Sequence, residues 1–158
     1  MSSSTPNIGV DSAGRQKTAA ALSRVLADTY TLYLQTHNFH WNVTGPQFAQ
    51  LHAMFETQYT ELAAAVDEVA ERIRAIGHRA PGSYREFGKL ARVQEAEGAP
   101  KADEMVAILA TANETVSRSA REALAPAQDA GDEATADILI QRMQTHDKNA
   151  WMLRSILE

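Results

Sequence analysis

The chain contains no cysteine. Disulfides, thiolate metal sites and cysteine nucleophiles are therefore excluded, and any transition metal must be held by His, Asp or Glu. That donor set suits iron or manganese better than structural zinc. Aromatic residues make up only 6% of the sequence, while 44% of positions are apolar and alanine is abundant. This profile favours packed helices over sheets and is rich enough for a sizeable core. No apolar run approaches the roughly 20 residues that a membrane span needs. The first residues lack the charged and apolar regions of a secretion signal, so a cytoplasmic location without a membrane partner is expected. There is no Gly-rich phosphate loop, no HExxH and no GxSxG, which leaves nucleotide-binding and hydrolase readings without support. None of the five histidines follows a Glu by three residues. That argues against a di-iron site built from Glu-x-x-His pairs inside a helical bundle.

What is present suits one domain of 158 residues. Residues 1–13 are polar and read as a flexible N-terminal tail, and residues 14–158 read as the folded domain. From Arg15 to about Val43, apolar residues recur with helical spacing at Leu22, Val25, Leu26, Leu32 and Tyr33. Gly45-Pro46 makes a turn. A second helix is predicted from about Pro46 to Ile76, with Pro46 in its first turn and Gly77 as the residue after its cap. Residues 78–102 hold Pro81, Gly82, Gly88, Gly98 and Pro100, and form a connection too long to join close neighbours. A short helix is expected inside it, over Gly88 to Ala96. A third helix is predicted from Asp103, as N-cap, to Ala125, where Pro126 ends it. A fourth runs from Glu133 to about Leu157. The expected fold is all-α: a four-helix bundle with short turns after the first and third helices and one long crossover between the second and third.

The second helix carries two pairs of potential ligands at i, i+4 spacing: His52 with Glu56, and Asp67 with Glu71. At about 100° per residue, all four fall within about 100° of one another, on a stripe shared with Tyr59, Ala63, Val66 and Ala70. Small apolar residues mixed with acids suit neither a solvated face nor a dry core. Glu56 and Asp67 are about 16 Å apart along the axis, and His52 and Glu71 about 28 Å, so the two pairs cannot share a metal within one helix. They meet if a second copy lies antiparallel across a two-fold axis near Glu61 and Leu62. His52 and Glu56 of one chain then face Asp67 and Glu71 of the other, and the contact is made twice. His40, near the end of the first helix, is brought towards His52 by the Gly45-Pro46 turn. Two imidazoles with three carboxylates suit Fe(II).

The run from His37 to Phe48 (HNFHWNVTGPQF), then Leu51-His52 to Glu56 and Tyr59, then Asp67 to Arg72, resembles the signature of the Dps family, the mini-ferritins of the ferritin-like superfamily. His146 to Leu153 is similar to that family's last helix, and the resemblance covers the chain from about Thr18 onward. It implies a ferritin-like four-helix bundle and a homo-oligomeric shell of twelve subunits built from isologous dimers. It also implies a ferroxidase that oxidises Fe(II) with hydrogen peroxide, or more slowly with oxygen. The resemblance places His40, His52 and Glu56 as iron ligands from one subunit and Asp67 and Glu71 as ligands from its two-fold mate. Glu56 stands where many relatives carry Asp, so a shifted metal position is expected. Trp41 and Tyr59 become candidates for quenching radicals, with packing favoured for Tyr59.

Asp132, Glu133 and Asp137 open the last helix, where acidic charge is favourable. The resemblance adds a second role for Glu133 and Asp137, lining iron-entry pores. The alternative function is a nucleoid-binding protein that protects DNA by physical association. The net charge of -5 opposes it, and so does a tail offering only Arg15 and Lys17.

Overall fold

Asp11 begins the first helix of this computed structural model, which describes residues 5–158. Its carboxylate accepts from the Gly14 amide at 2.6 Å, satisfying one of the free N–H groups at the start of α1 (Ser12–Asn42). Four more helices follow: α2 (Phe48–Ala75), α3 (Tyr84–Leu90), α4 (Ala102–Asp129) and α5 (Glu133–Ile156). No strand occurs among the described residues. The fold is all-α, a four-helix bundle whose long crossover between α2 and α4 carries the short α3. Residues 1–4 of the expected tail lie outside the described residues. Later in that stretch Val10 is buried, and its carbonyl accepts from Arg15 Nη1 at 2.6 Å.

The helix ends obey local chemistry. Gly77 follows α2 at φ +94°, with the His78 amide donating to Ile73 O, the closure that a left-handed glycine permits. Gly131 does the same after α4, at φ +67°, with the Asp132 amide donating to Ala127 O.

Three boundaries differ from expectation. The short crossover helix lies at Tyr84–Leu90, earlier than Gly88 to Ala96. Its start is fixed by Ser83, which accepts from the Glu86 amide at 3.2 Å, while Glu86 accepts from the Gly82 amide at 2.9 Å. The Ser-x-x-Glu spacing that allows this cap was visible in the sequence. The N-cap of α4 is Lys101, not Asp103. Glu104 turns back to accept the Lys101 amide at 2.8 Å, and Asp103 lies in the first turn. Pro126 does not end α4; the helix continues to Asp129. Proline costs one hydrogen bond, but Ala127 is fully buried against the core and Pro126 O accepts from Thr18 on α1 at 3.4 Å. Packing of that last turn outweighs the local preference.

The core forms two apolar clusters. One gathers Leu22, Leu26, Val69, Ile73, Phe87 and Leu139. The other gathers Leu32, Phe39, Leu51, Phe55, Leu109 and Leu153. Helix α1 packs on α2 and α4, and α4 packs on α5, whereas α2 and α5 meet sparsely. On α2 the core face is Leu51, Phe55, Gln58, Leu62, Ala65, Val69 and Ile73. The stripe of His52, Glu56, Ala63, Asp67 and Glu71 is rotated away from it.

Candidate metal centre

The Gly45-Pro46 turn reverses the chain between α1 and α2 and sets His40 beside His52. Their rings stack at 3.7 Å between centroids, with planes 16° apart. Each ring is fixed by the backbone of the other. His40 Nδ1 lies 2.8 Å from His52 O, and His52 Nδ1 lies 2.7 Å from His40 O. A carbonyl oxygen only accepts, so each Nδ1 carries the proton and donates it. Each Nε2 is then left with its lone pair, and neither has a hydrogen-bond partner among the described residues. This is the tautomer a metal-binding histidine needs, held in the way that outer-sphere carbonyls hold such ligands.

Around the pair, His40 is buried and His52 is half-buried, with Phe48 stacked on His52 at 5.1 Å. Glu56 lies one turn along α2 and is exposed; Asp67 and Glu71 lie further along the same stripe, also exposed. The fold therefore unites His40 with His52 and leaves Asp67 and Glu71 away from them within one chain. Among the described residues no group of three or more His, Asp or Glu converges to hold a metal. Near the clamp one chain offers two imidazoles and, one turn along α2, Glu56, fewer oxygen donors than Fe(II) favours.

His37 completes the neighbourhood. Its ring lies tilted against Trp41 at 3.9 Å and against Tyr59 at 4.2 Å between centroids, and burial followed by the nearby His40 pushes its pKa down.

Asp28, Asn113 and Arg142 carry buried contacts elsewhere in the bundle that the sequence did not single out. Asp28, fully buried on α1, accepts from the Arg92 amide at 2.5 Å, the Val93 amide at 2.9 Å and Ser119 Oγ at 2.5 Å. It pins the crossover to the bundle. Near the junction of the two core clusters, Asn113 Oδ1 accepts from His146 Nδ1 at 2.9 Å, and His146 Nε2 accepts from Arg142 Nη2 at 3.0 Å. Arg142 also pairs with Glu61 on α2. Desolvation, then Arg142, lowers the His146 pKa well below the usual range, so the ring is neutral. Arg72, next to Glu71, donates to Asp132 at 2.7 Å and to Thr135 at 2.8 Å, tying the end of α2 to the start of α5. Asp132 is the N-cap of α5; Glu133 and Asp137 are exposed beside it. A lone buried Asp, Arg or His within an amphipathic pattern gives no sequence signal of its partner.

A bundle of four long helices with one helical crossover, carrying its imidazoles at the α1–α2 turn, defines a ferritin-like protein. The family model for the ferritin-like domain matches residues 19–158. Among curated proteins, the DNA protection during starvation protein 2 of Bacillus anthracis is 39% identical over 86% of this chain and 93% of its own length. The DNA protection during starvation protein of Brevibacillus brevis is 38% identical over 91% and 97%. The crystal structure of the Vibrio cholerae Dps protein, described as a member of a broad superfamily of ferritin-like diiron-carboxylate proteins, superposes with a TM-score of 0.93. It shares 32% identity and covers 100% of this chain and 99% of that one. The chain belongs to the Dps family.

Proposed function

We propose that this protein is a ferroxidase and iron store. Two subunits related by a two-fold axis build each site: His40, His52 and Glu56 from one, Asp67 and Glu71 from the other. Fe(II) is the substrate, hydrogen peroxide is the favoured oxidant with oxygen slower, and the ferric product is kept inside a twelve-subunit shell. The reciprocal His40–His52 clamp carries this reading, because it holds two imidazoles in the ligand tautomer beside an acidic stripe.

The clamp fixes the orientation of both rings before iron arrives, so little ordering is left for binding to accomplish. The carboxylates favour the product, since Fe(III) is a harder and more highly charged ion than Fe(II). Two Fe(II) held together deliver both electrons to one peroxide, which takes up two protons and leaves as two waters. This avoids the one-electron route to hydroxyl radical. Glu133 and Asp137, exposed at the start of α5, are assigned to the entry path for Fe(II).

The experiment is stopped-flow absorbance of anaerobic Fe(II)-loaded protein mixed with peroxide or with air-saturated buffer. A fast ferric signal with peroxide, consuming two Fe(II) per peroxide, supports the reading. Oxidation no faster than that of free Fe(II) overturns it.

The names of the relatives motivate a second reading, protection of DNA by physical association. The net charge of -5 per chain works against it at neutral pH. Of the basic residues near the crossover, Arg79 is paired with Glu86 and Arg92 with Glu122. A gel shift at about 150 mM salt tests it, a range where weak phosphate contacts are lost.

A further inference from the structure

Tyrosines are scarce here, four in 158 residues, yet all four lie on one path. It starts at the histidine clamp. Tyr59 is 5.1 Å from His40 between ring centroids, Tyr33 is 6.3 Å from Tyr59, Tyr30 is 5.7 Å from Tyr33, and Tyr84 is 6.2 Å from Tyr30. The path ends in water: Tyr84 is 71% exposed, while the other three are partly buried. Two core phenylalanines, Phe39 and Phe55, lie off this line and are fully buried, while Phe87 stacks on Tyr30 at 5.0 Å. The tyrosines thus trace a route between the clamp and the surface, apart from the two exposed tryptophans, Trp41 and Trp151. The far end is also a recess: Tyr30, Tyr84 and Phe87 line a cleft of about 390 Å³ together with Glu95 and Glu97. Aromatic rings beside two carboxylates suit a neutral phenol and disfavour an anionic reductant.

We propose that Tyr59, Tyr33, Tyr30 and Tyr84 form a hole-transfer path that drains oxidising equivalents from the iron site to Tyr84, where a neutral phenolic reductant in the cleft refills it. The proposal rests on the ferroxidase reading for its source of oxidant. It applies when only one Fe(II) occupies a site that meets peroxide. Fe(II) then gives one electron and Tyr84 gives the second. The O–O bond breaks to one hydroxide and one water, Fe(II) becomes Fe(III), and the Tyr84 phenol releases its proton to solvent as it becomes the neutral radical. A hydroquinone then returns one electron and one proton to Tyr84 and leaves as the semiquinone. The three inner tyrosines carry the hole in transit and end unchanged. No free hydroxyl radical is formed.

Two experiments test it. The first needs no metal. The chain has no cysteine, so Ala53→Cys, exposed and next to His52, takes a single ruthenium photo-oxidant. Flash oxidation of the labelled assembly is followed by electron paramagnetic resonance and by spin-trap mapping of the modified residue. The expected result is a tyrosyl radical trapped at Tyr84, lost in the Tyr33→Phe variant. An undiminished Tyr84 adduct in Tyr33→Phe, or none in the parent, overturns the path. The second uses one Fe(II) per site with peroxide. Hydroquinone is expected to quench the tyrosyl signal and ascorbate to be poorer; trapped hydroxyl radical is expected to rise in Tyr33→Phe. Equal hydroxyl trapping in both proteins overturns the role in protection. Fe(II) oxidation followed in the same samples reports on the ferroxidase reading alone, and the photochemical result stands apart from it.

Discussion

His40 and His52 each donate Nδ1–H to the other's main-chain carbonyl, at 2.8 and 2.7 Å. The symmetry of this exchange means that neither ring can turn without releasing the other, and the turn at Gly45-Pro46 is held at both ends. The expected signature is spectroscopic. Nitrogen-15 shifts of the metal-free protein place both imidazoles in the Nδ1–H form with an unprotonated Nε2. A mixture of tautomers at either ring would contradict the clamp.

Sharing of the site across two chains has a genetic test. His52→Ala and Asp67→Ala each remove a ligand from every site when assembled alone, and both are expected to lose ferroxidation. Co-assembled in equal amounts, they regain it. Half of the dimers are mixed, and each mixed dimer has one site lacking both ligands and one site intact. Random two-fold pairing therefore restores about a quarter of the sites. Stopped-flow oxidation without recovery would overturn the shared site.

Asp28 makes the crossover part of the bundle. Asp28→Ala leaves two buried or half-buried amides and the Ser119 hydroxyl without their acceptor, and removes a charged one. The expected loss is about 3 kcal/mol, the upper range for hydrogen bonds to a charged group. Asp28→Asn loses less. Urea denaturation at fixed protein concentration reads both, and an unchanged midpoint for Asp28→Ala would show that the crossover is held by its apolar contacts alone.

The His146 ring gives an acid sensitivity with a definite sign. Its folded pKa is depressed by desolvation and by Arg142, while the unfolded chain titrates near 6.5. Below pH 6.5 the unfolded state binds the proton and the folded state does not. Stability is therefore full above that pH and falls on acidification, by up to about 1.4 kcal/mol per pH unit, until the folded ring itself titrates. His146→Gln removes this slope between pH 6.5 and 5. Parallel denaturation midpoints for the two proteins across that window would be incompatible with a neutral buried ring.

Much of this was legible in the residues. The four long helices follow from apolar spacing and from Gly-Pro punctuation, and each begins and ends within a few residues of its expected place. Ligand-bearing positions on α2 were readable because helical geometry converts spacing into facing and distance. Of the three displaced boundaries, one sets a local rule against tertiary packing and two turn on which of several local caps forms. Pro126 suggests a stop, but burial of Ala127 continues the helix past it. Asp103 was read as a cap, but Glu104 reaches back to Lys101 instead. The crossover helix starts at its Ser83–Glu86 cap rather than at the apolar run from Gly88 to Ala96.

The sequence by itself determined the bundle, the single crossover, the absence of thiolate ligands and the common stripe of His52, Glu56, Asp67 and Glu71, since all of these depend on short-range periodicity and residue chemistry. Only the tertiary structure decided which nitrogen of each histidine is free, that Asp28 holds the crossover, that Arg142 and His146 share a buried network, and that four tyrosines line up. Those are contacts between residues distant along the chain, and spacing within a helix carries no information about which side chain on another helix will face it.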